Sequence, residues 1–281
     1  MSSITTHKYH VLDINLNVAE TGSGPALVFI HGWSNNWQGW TLLAQILSSR
    51  YHLYMIDLPG FGDSDPLDRY SLTQAAAYLN AFITTNNIKP QAIVAASLGT
   101  LVTAKTLSLY PGLTDKLILI GAVFSQLNLK HASKLFLRIL ELSNKTFPTQ
   151  EVLGYTIKSR YTAYLVEKYL NAYKFDRHKV DQYSLPGRQK MSGKSYIQMG
   201  LSAAKFSLED YLGKTTKPTL LIYGNADKYT TPQQAKTILE RIGNNQIEIN
   251  VIPKCGHNPA FEKPAETANL ILNFLHQPNS Q

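Results

Sequence analysis

Ser97, Asp227 and His257 are the side chains of this 281-residue chain whose types, order and surroundings could together do covalent chemistry. A serine hydroxyl is a weak nucleophile until a base takes its proton. A histidine serves as that base when an acid holds its imidazole and stabilises the charged form. Ser97 lies in Ala95-Ala96-Ser97-Leu98-Gly99. A sharp turn that delivers a nucleophile from a strand into a helix strains its backbone, and bulky residues two positions to either side would clash; Ala95 and Gly99 meet that need. Alone, the pattern equally fits a serine capping a helix that opens at Leu98. Order raises it above chance. Asp227 and His257 follow in the sequence Ser, Asp, His, which is the order of one serine-hydrolase class and not of the others.

The elements that must position these residues are legible as short apolar runs. Ala26–Ile30, Leu53–Asp57, Gln91–Ala95 and Lys116–Ile120 alternate with stretches of helical length at 40–49, 71–86 and 98–109. Runs that are apolar at every position suit strands buried on both faces, the mark of a parallel sheet covered by helices, so the pattern predicts an α/β fold. The strand pattern stops after Ala122 and resumes at Pro218–Gly224 and Gln246–Ile252, with a closing helix from Pro264 to Leu275. Between them only helical stretches are expected, at 132–143, 149–175 and 195–212. The expected organisation is therefore an α/β core in two parts, 1–125 and 213–281, interrupted by an all-helical cap at 126–212. All three candidate residues fall just beyond the C-terminal ends of expected parallel strands, where ligands bind in open α/β sheets.

Further motifs join this arrangement. His31-Gly32-Trp33 follows an early strand, Asp57-Leu58-Pro59-Gly60-Phe61-Gly62-Asp63-Ser64 follows the next, and Gly256-His257-Asn258-Pro259 with Glu262 and Pro264 closes the set. On these motifs the chain resembles the α/β-hydrolase superfamily of serine carboxylesterases, lipases and C–C hydrolases with helical caps. Within it the chain is similar to esterases of pimeloyl-acyl-carrier-protein methyl esters, which share a Trp after His-Gly, a Ser-Leu-Gly turn and a basic cap. The resemblance implies that Ser97 is the nucleophile, His257 the general base and acid, and Asp227 its orienting partner. It also implies that the backbone N–H groups of Trp33 and Leu98 form an oxyanion hole. Such donors stabilise charge that develops only in the transition state. Ala95 replaces the first glycine of the family pattern, and Thr100 stands where many relatives have another.

Other residues admit two readings. His31 is expected to be a hydrogen-bonding residue of its loop and not a second base. Asp57 is a rival acid to Asp227, disfavoured because it precedes the nucleophile, and Glu262 is expected to tether its loop. Trp33, Trp37 and Trp40 line an acyl pocket or pack in the core. Gly22-Ser23-Gly24-Pro25 reads as a turn between strands and not a phosphate cradle, because no helix follows it.

Composition narrows the function classes. One cysteine, Cys255, allows neither an internal disulfide nor a cysteine-based zinc cluster, and no cofactor or metal is expected. No run reaches the ~20 apolar residues of a membrane span and the N-terminus lacks a secretory signal, so a cytoplasmic location is expected. Residues 126–212 carry fourteen basic and seven acidic residues, a net +7 of the chain's +8. That concentration suits an anionic partner at the mouth of the site, such as an acyl-carrier protein, a membrane surface or a charged ester, or else a plain solvated face. Nucleic acid is not expected, because the basic residues are not interleaved with a binding motif. The expected activity is cleavage of a carboxylic ester through an acyl-enzyme; the alternatives are C–C bond cleavage by the same residues and a slow-turnover ligand receptor.

Overall fold

The computed structural model describes residues 3–124 and 131–277, so the expected boundary at 125/126 and Lys130 lie outside the described residues. Eight strands form one sheet: β1 (Thr5–Val11), β2 (Ile14–Thr21), β3 (Ala26–Ile30), β4 (His52–Ile56), β5 (Pro90–Ala96), β6 (Lys116–Ile120), β7 (Thr219–Gly224) and β8 (Ile247–Ile252). Their order is β1-β2-β4-β3-β5-β6-β7-β8. From β4 to β8 every pairing is parallel, while β1 and β2 form an antiparallel hairpin that joins β4 antiparallel.

Successive strand side chains face opposite ways, so each apolar run feeds two cores. Val28, Ile30, Ile93 and Leu119 face the layer made by α2 (Leu72–Thr85), α3 (Leu98–Leu109) and α11 (Pro232–Ile242). Leu27, Phe29, Val94 and Ile118 face α1 (Thr41–Leu47) and α13 (Pro264–His276). Lys116 opens the buried strand β6, and its ammonium donates to the carbonyls of Phe274 and Leu275 at the C-terminal end of α13, where a cation is favoured.

Seven helices fill the described part of the stretch between β6 and β7: α4 (His131–Ser143), α5 (Phe147–Lys158), α6 (Arg160–Val166), α7 (Arg177–Lys179), α8 (Leu185–Lys190), α9 (Gly193–Ala203) and α10 (Leu208–Leu212). The single helix expected over 149–175 is broken. Ser159 is extended and divides α5 from α6, and α6 widens into a π-helical turn at Glu167–Asn171 before the chain extends at Ala172. A second π turn, Val180–Ser184, leads into α8, and the helical span 177–190 was not expected. A short helix α12 (Pro259–Glu262) precedes α13.

This insertion sits on the loops that leave the C-terminal ends of the parallel strands. Ser195 Oγ donates to Gly60 O at 2.9 Å after β4, and Trp33 Nε1 donates to Tyr196 O at 3.1 Å after β3. Gly187 lies so close to Asn36 that a Cβ there would come within 2.7 Å of its backbone nitrogen.

Candidate active site

The end of β5 runs directly into α3 through Ser97, whose φ of 49° and ψ of −116° lie outside the conformations that side chains ordinarily tolerate. Strain of this kind costs of order 1–3 kcal/mol and persists only where surrounding contacts impose it. Here Ser97 N–H donates to Ile120 O at 3.0 Å, extending the β5–β6 ladder by one residue. The helix then passes tightly under β3: a Cβ on Gly99 would lie 2.4 Å from Ile30 O and 2.7 Å from His31 O. Thr100, fully buried, donates its hydroxyl to Ser97 O at 2.6 Å and so ties the first turn of α3 to the turn itself. Ala95 is buried where the family pattern has glycine.

Ser97 Oγ stands 2.9 Å from His257 Nε2, and His257 Nδ1 stands 2.8 Å from Asp227 Oδ2. The structure thus brings together the three residues singled out in the sequence, on loops after β5, β7 and β8. Asp227 is buried, and its other oxygen accepts N–H donors from Tyr229 at 2.8 Å and Thr230 at 3.2 Å. Those bonds leave Oδ2 for the imidazole and fix the carboxylate plane. A proton on Nδ1 shared with the carboxylate leaves Nε2 as an acceptor, so the arrangement can take the hydroxyl proton of Ser97. Gly121, at φ 56°, makes room for this ring, since a Cβ there would lie 2.5 Å from His257 O and 3.2 Å from its Cε1.

Leu98 follows Ser97 in the chain, and Trp33 follows Gly32, which packs on the turn. As the first amide of α3, Leu98 N–H has no intrahelical acceptor. The His31-Gly32-Trp33 segment presses on the turn, a Cβ on Gly32 falling 3.2 Å from Ser97 Cβ. The indole of Trp33 stacks on Tyr196 of α9 with ring centroids 4.2 Å apart, so it packs under the insertion. Trp40 is buried against Phe29, and Trp37 is half-buried in the same core.

The ring of His31 hydrogen-bonds to the frame and not to the nucleophile. It accepts from Leu58 N–H at Nε2 (3.0 Å) and donates from Nδ1 to Gly32 O (2.8 Å), while burial lowers its pKa to about 4 and keeps it neutral. Asp57 also belongs to the frame: it accepts from Trp37 N–H at 2.7 Å, Asp63 N–H at 2.9 Å and Asn17 Nδ2 at 2.9 Å. Burial raises its pKa to about 6 against these donors. Gly62, at φ 53°, is packed on this carboxylate, and a Cβ there would fall 2.1 Å from Asp57 Oδ2.

Glu262 joins the histidine loop to the insertion. One oxygen accepts from Gly256 N–H at 2.8 Å, and the other from Tyr173 N–H at 2.9 Å and Lys174 N–H at 3.4 Å. Sequence reasoning missed the insertion's other contributions. Asn171 O accepts the backbone N–H of His257 at 2.7 Å, and Tyr229, whose ring lies 4.4 Å from the imidazole, donates its hydroxyl to Asn171 Oδ1 at 3.0 Å. Two buried titratable side chains stand behind them. Glu167 accepts from Asn171 Nδ2 and Ser184 Oγ, and burial raises its pKa while Asn171 and Arg188 oppose that rise. Arg188 donates to Ile157 O at 3.2 Å, and its Nε is buried with no hydrogen-bond partner among the described residues. Buried titratable side chains inside a helical stretch leave no mark in sequence spacing.

Residues 25–264 match the family model described as the alpha/beta hydrolase fold. The chain is 27% identical over 261 residues to the pimeloyl-[acyl-carrier protein] methyl ester esterase of Wigglesworthia glossinidia brevipalpis, a match covering 92% of this chain and 96% of that one. It is 25% identical over 273 residues to monoacylglycerol lipase ABHD6 of Rattus norvegicus, covering 92% and 78%. An esterase from Thermogutta terrifontis, solved with malate bound, superposes with a TM-score of 0.76 at 19% identity over 97% of this chain and 100% of that one, a likeness of fold. The matched residues run from β3 through the insertion to the histidine loop and contain Ser97, Asp227 and His257, and the chain belongs to the alpha/beta hydrolase fold family.

Proposed function

We propose that this protein is a serine hydrolase of carboxylic esters that works through an acyl-enzyme on Ser97. The observation that carries the reading is the pair of contacts at 2.9 and 2.8 Å joining Ser97, His257 and Asp227 at a strained turn. The names of two relatives, a monoacylglycerol lipase and a methyl ester esterase, support an ester as the bond cleaved.

In the proposed cycle Ser97 Oγ attacks the ester carbonyl as His257 Nε2 takes its proton, and Asp227 holds the imidazolium through Nδ1–H. The amides of Trp33 and Leu98 receive the carbonyl oxygen as it gains charge. Collapse expels the alcohol, which takes the proton from Nε2. Water then enters, gives a proton to His257 and attacks the acyl carbon; the second collapse frees the acid and returns the proton to Ser97. The helical insertion acts as a cap, seating its Asn171 carbonyl on the histidine loop.

Ser97→Ala tests the reading. The variant is expected to keep the wild-type circular dichroism spectrum and melting transition and to lose at least about 10³-fold in turnover of a short-chain activated ester. Turnover within tenfold of wild type would reject it. A diketone panel run beside the esters separates C–C cleavage from ester cleavage.

A further inference from the structure

All but four of the large apolar side chains exposed among the described residues lie between 135 and 173, in the helical insertion. Tyr161, Leu165 and Tyr169 are 79%, 58% and 57% exposed, and their spacing of four places them on one face running from α6 into the π turn. They line a shallow cleft of about 220 Å³ with Tyr164, Lys168 and Phe175. Exposed apolar side chains gathered on one face suit an interaction site.

Charge selects the partner. From 152 to 174 the chain has four basic residues, Lys158, Arg160, Lys168 and Lys174, and one acid, Glu167, whose carboxylate is buried. Arg160 is paired with Asp181, while Lys168 and Lys174 are exposed without an ion-pair partner among the described residues, Lys168 lying 5.2 Å over the Tyr169 ring. Tyrosines flanked by lysines on an apolar face suit the boundary between acyl chains and negatively charged headgroups.

We propose that the outer face of α6 and its π turn docks on an anionic lipid surface. Tyr161, Leu165 and Tyr169 enter the headgroup layer, and Lys168 and Lys174 pair with its phosphates. The same segment reaches the site: Tyr169 O accepts from Lys228 Nζ at 2.7 Å, and Asn171 O accepts from His257 N–H at 2.7 Å. Docking therefore occurs beside the groups that hold the histidine loop. This inference stands independently of the ester reading.

The test is co-sedimentation of the full chain with phosphatidylglycerol–phosphatidylcholine vesicles and with phosphatidylcholine vesicles, in low and high salt. Wild type is expected to bind the anionic vesicles at least tenfold more tightly than the neutral ones and to be released by salt. The Tyr161→Ser, Leu165→Ser, Tyr169→Ser triple variant is expected to lose at least about tenfold in partitioning. Lys168→Ala and Lys174→Ala are expected to lose about fivefold each on anionic vesicles alone. Hydrolysis of a soluble ester without vesicles is expected to stay unchanged in Lys168→Ala, and the triple variant is expected to keep the wild-type circular dichroism spectrum. Absence of binding to anionic vesicles, equal binding to neutral ones, or undiminished binding of the triple variant would overturn the proposal. So would a wild-type dimer that the triple variant dissolves, since a second copy would then cover this face.

Discussion

Replacing Glu262 by alanine removes a side chain that bonds both the histidine loop and the insertion. Its carboxylate accepts two good hydrogen bonds, from Gly256 at 2.8 Å and Tyr173 at 2.9 Å, and a long one from Lys174 at 3.4 Å. Hydrogen bonds to a charged acceptor contribute roughly 1.5–3 kcal/mol each, and the half-buried position lets water replace part of this, so a stability loss of about 2–4 kcal/mol is expected. The larger effect is on rate. Without Glu262 the histidine loop keeps the Asn171 O bond to His257 N–H but loses the brace on Gly256, the adjacent residue. A loop displacement on the order of 1 Å carries Nε2 out of its 2.9 Å contact with Ser97 and costs about 100-fold in kcat. Urea unfolding gives the first quantity, and steady-state kinetics on a short activated ester gives the second. The expected signature is a fall in kcat with KM held within about threefold, because Glu262 bonds only the backbone of the histidine loop and the insertion. If the variant kept kcat within twofold of wild type while losing the expected stability, the idea that the insertion positions the histidine loop would be refuted.

Asp227→Asn is expected to keep the fold and lower kcat about 10³–10⁴-fold, because an amide presented to Nδ1 favours the tautomer with its proton on Nε2; kinetics on folded variant checks it. Gly99→Ala is expected to destabilise by more than about 2 kcal/mol and to suppress activity, since its Cβ would meet Ile30 O at 2.4 Å, as a melting curve would show. His31 is held neutral with a pKa of about 4, below its ordinary 6.5, so it supplies stability above pH 6.5 that is lost as pH falls through 4, roughly 3 kcal/mol in all. The stability advantage of wild type over His31→Gln should therefore shrink by about that amount between pH 7 and pH 4, and a constant difference in urea titrations would contradict it.

The sequence showed the parallel core because β3, β5, β6 and β7 are buried on both faces and read as unbroken apolar runs. It was less explicit at the edge. β1 is exposed along most of its length and spells a polar segment, Thr5-Thr6-His7-Lys8, so the antiparallel hairpin it forms with β2 through the turn at Leu12-Asp13 went unread, and the turn that was read, Gly22–Pro25, joins β2 to β3. The break at Ser159 has no glycine or proline to announce it, and helical spacing alone ran α5 and α6 together. Ser97, Asp227 and His257 were legible because each must follow a strand in a fixed order. Asn171 was not, because it acts through a backbone carbonyl that any residue could supply; only the path of the insertion brings it to His257.

The central claim is that Ser97 becomes covalently acylated with His257 as its base. Reaction with a serine-directed phosphonate ester, followed by peptide mass mapping and activity measured at each time point, tests it most directly. The account predicts stoichiometric modification at Ser97, loss of turnover in proportion to it, and labelling slowed by at least about 10³-fold in His257→Ala. Modification at another residue, or full activity with Ser97 modified, would contradict it.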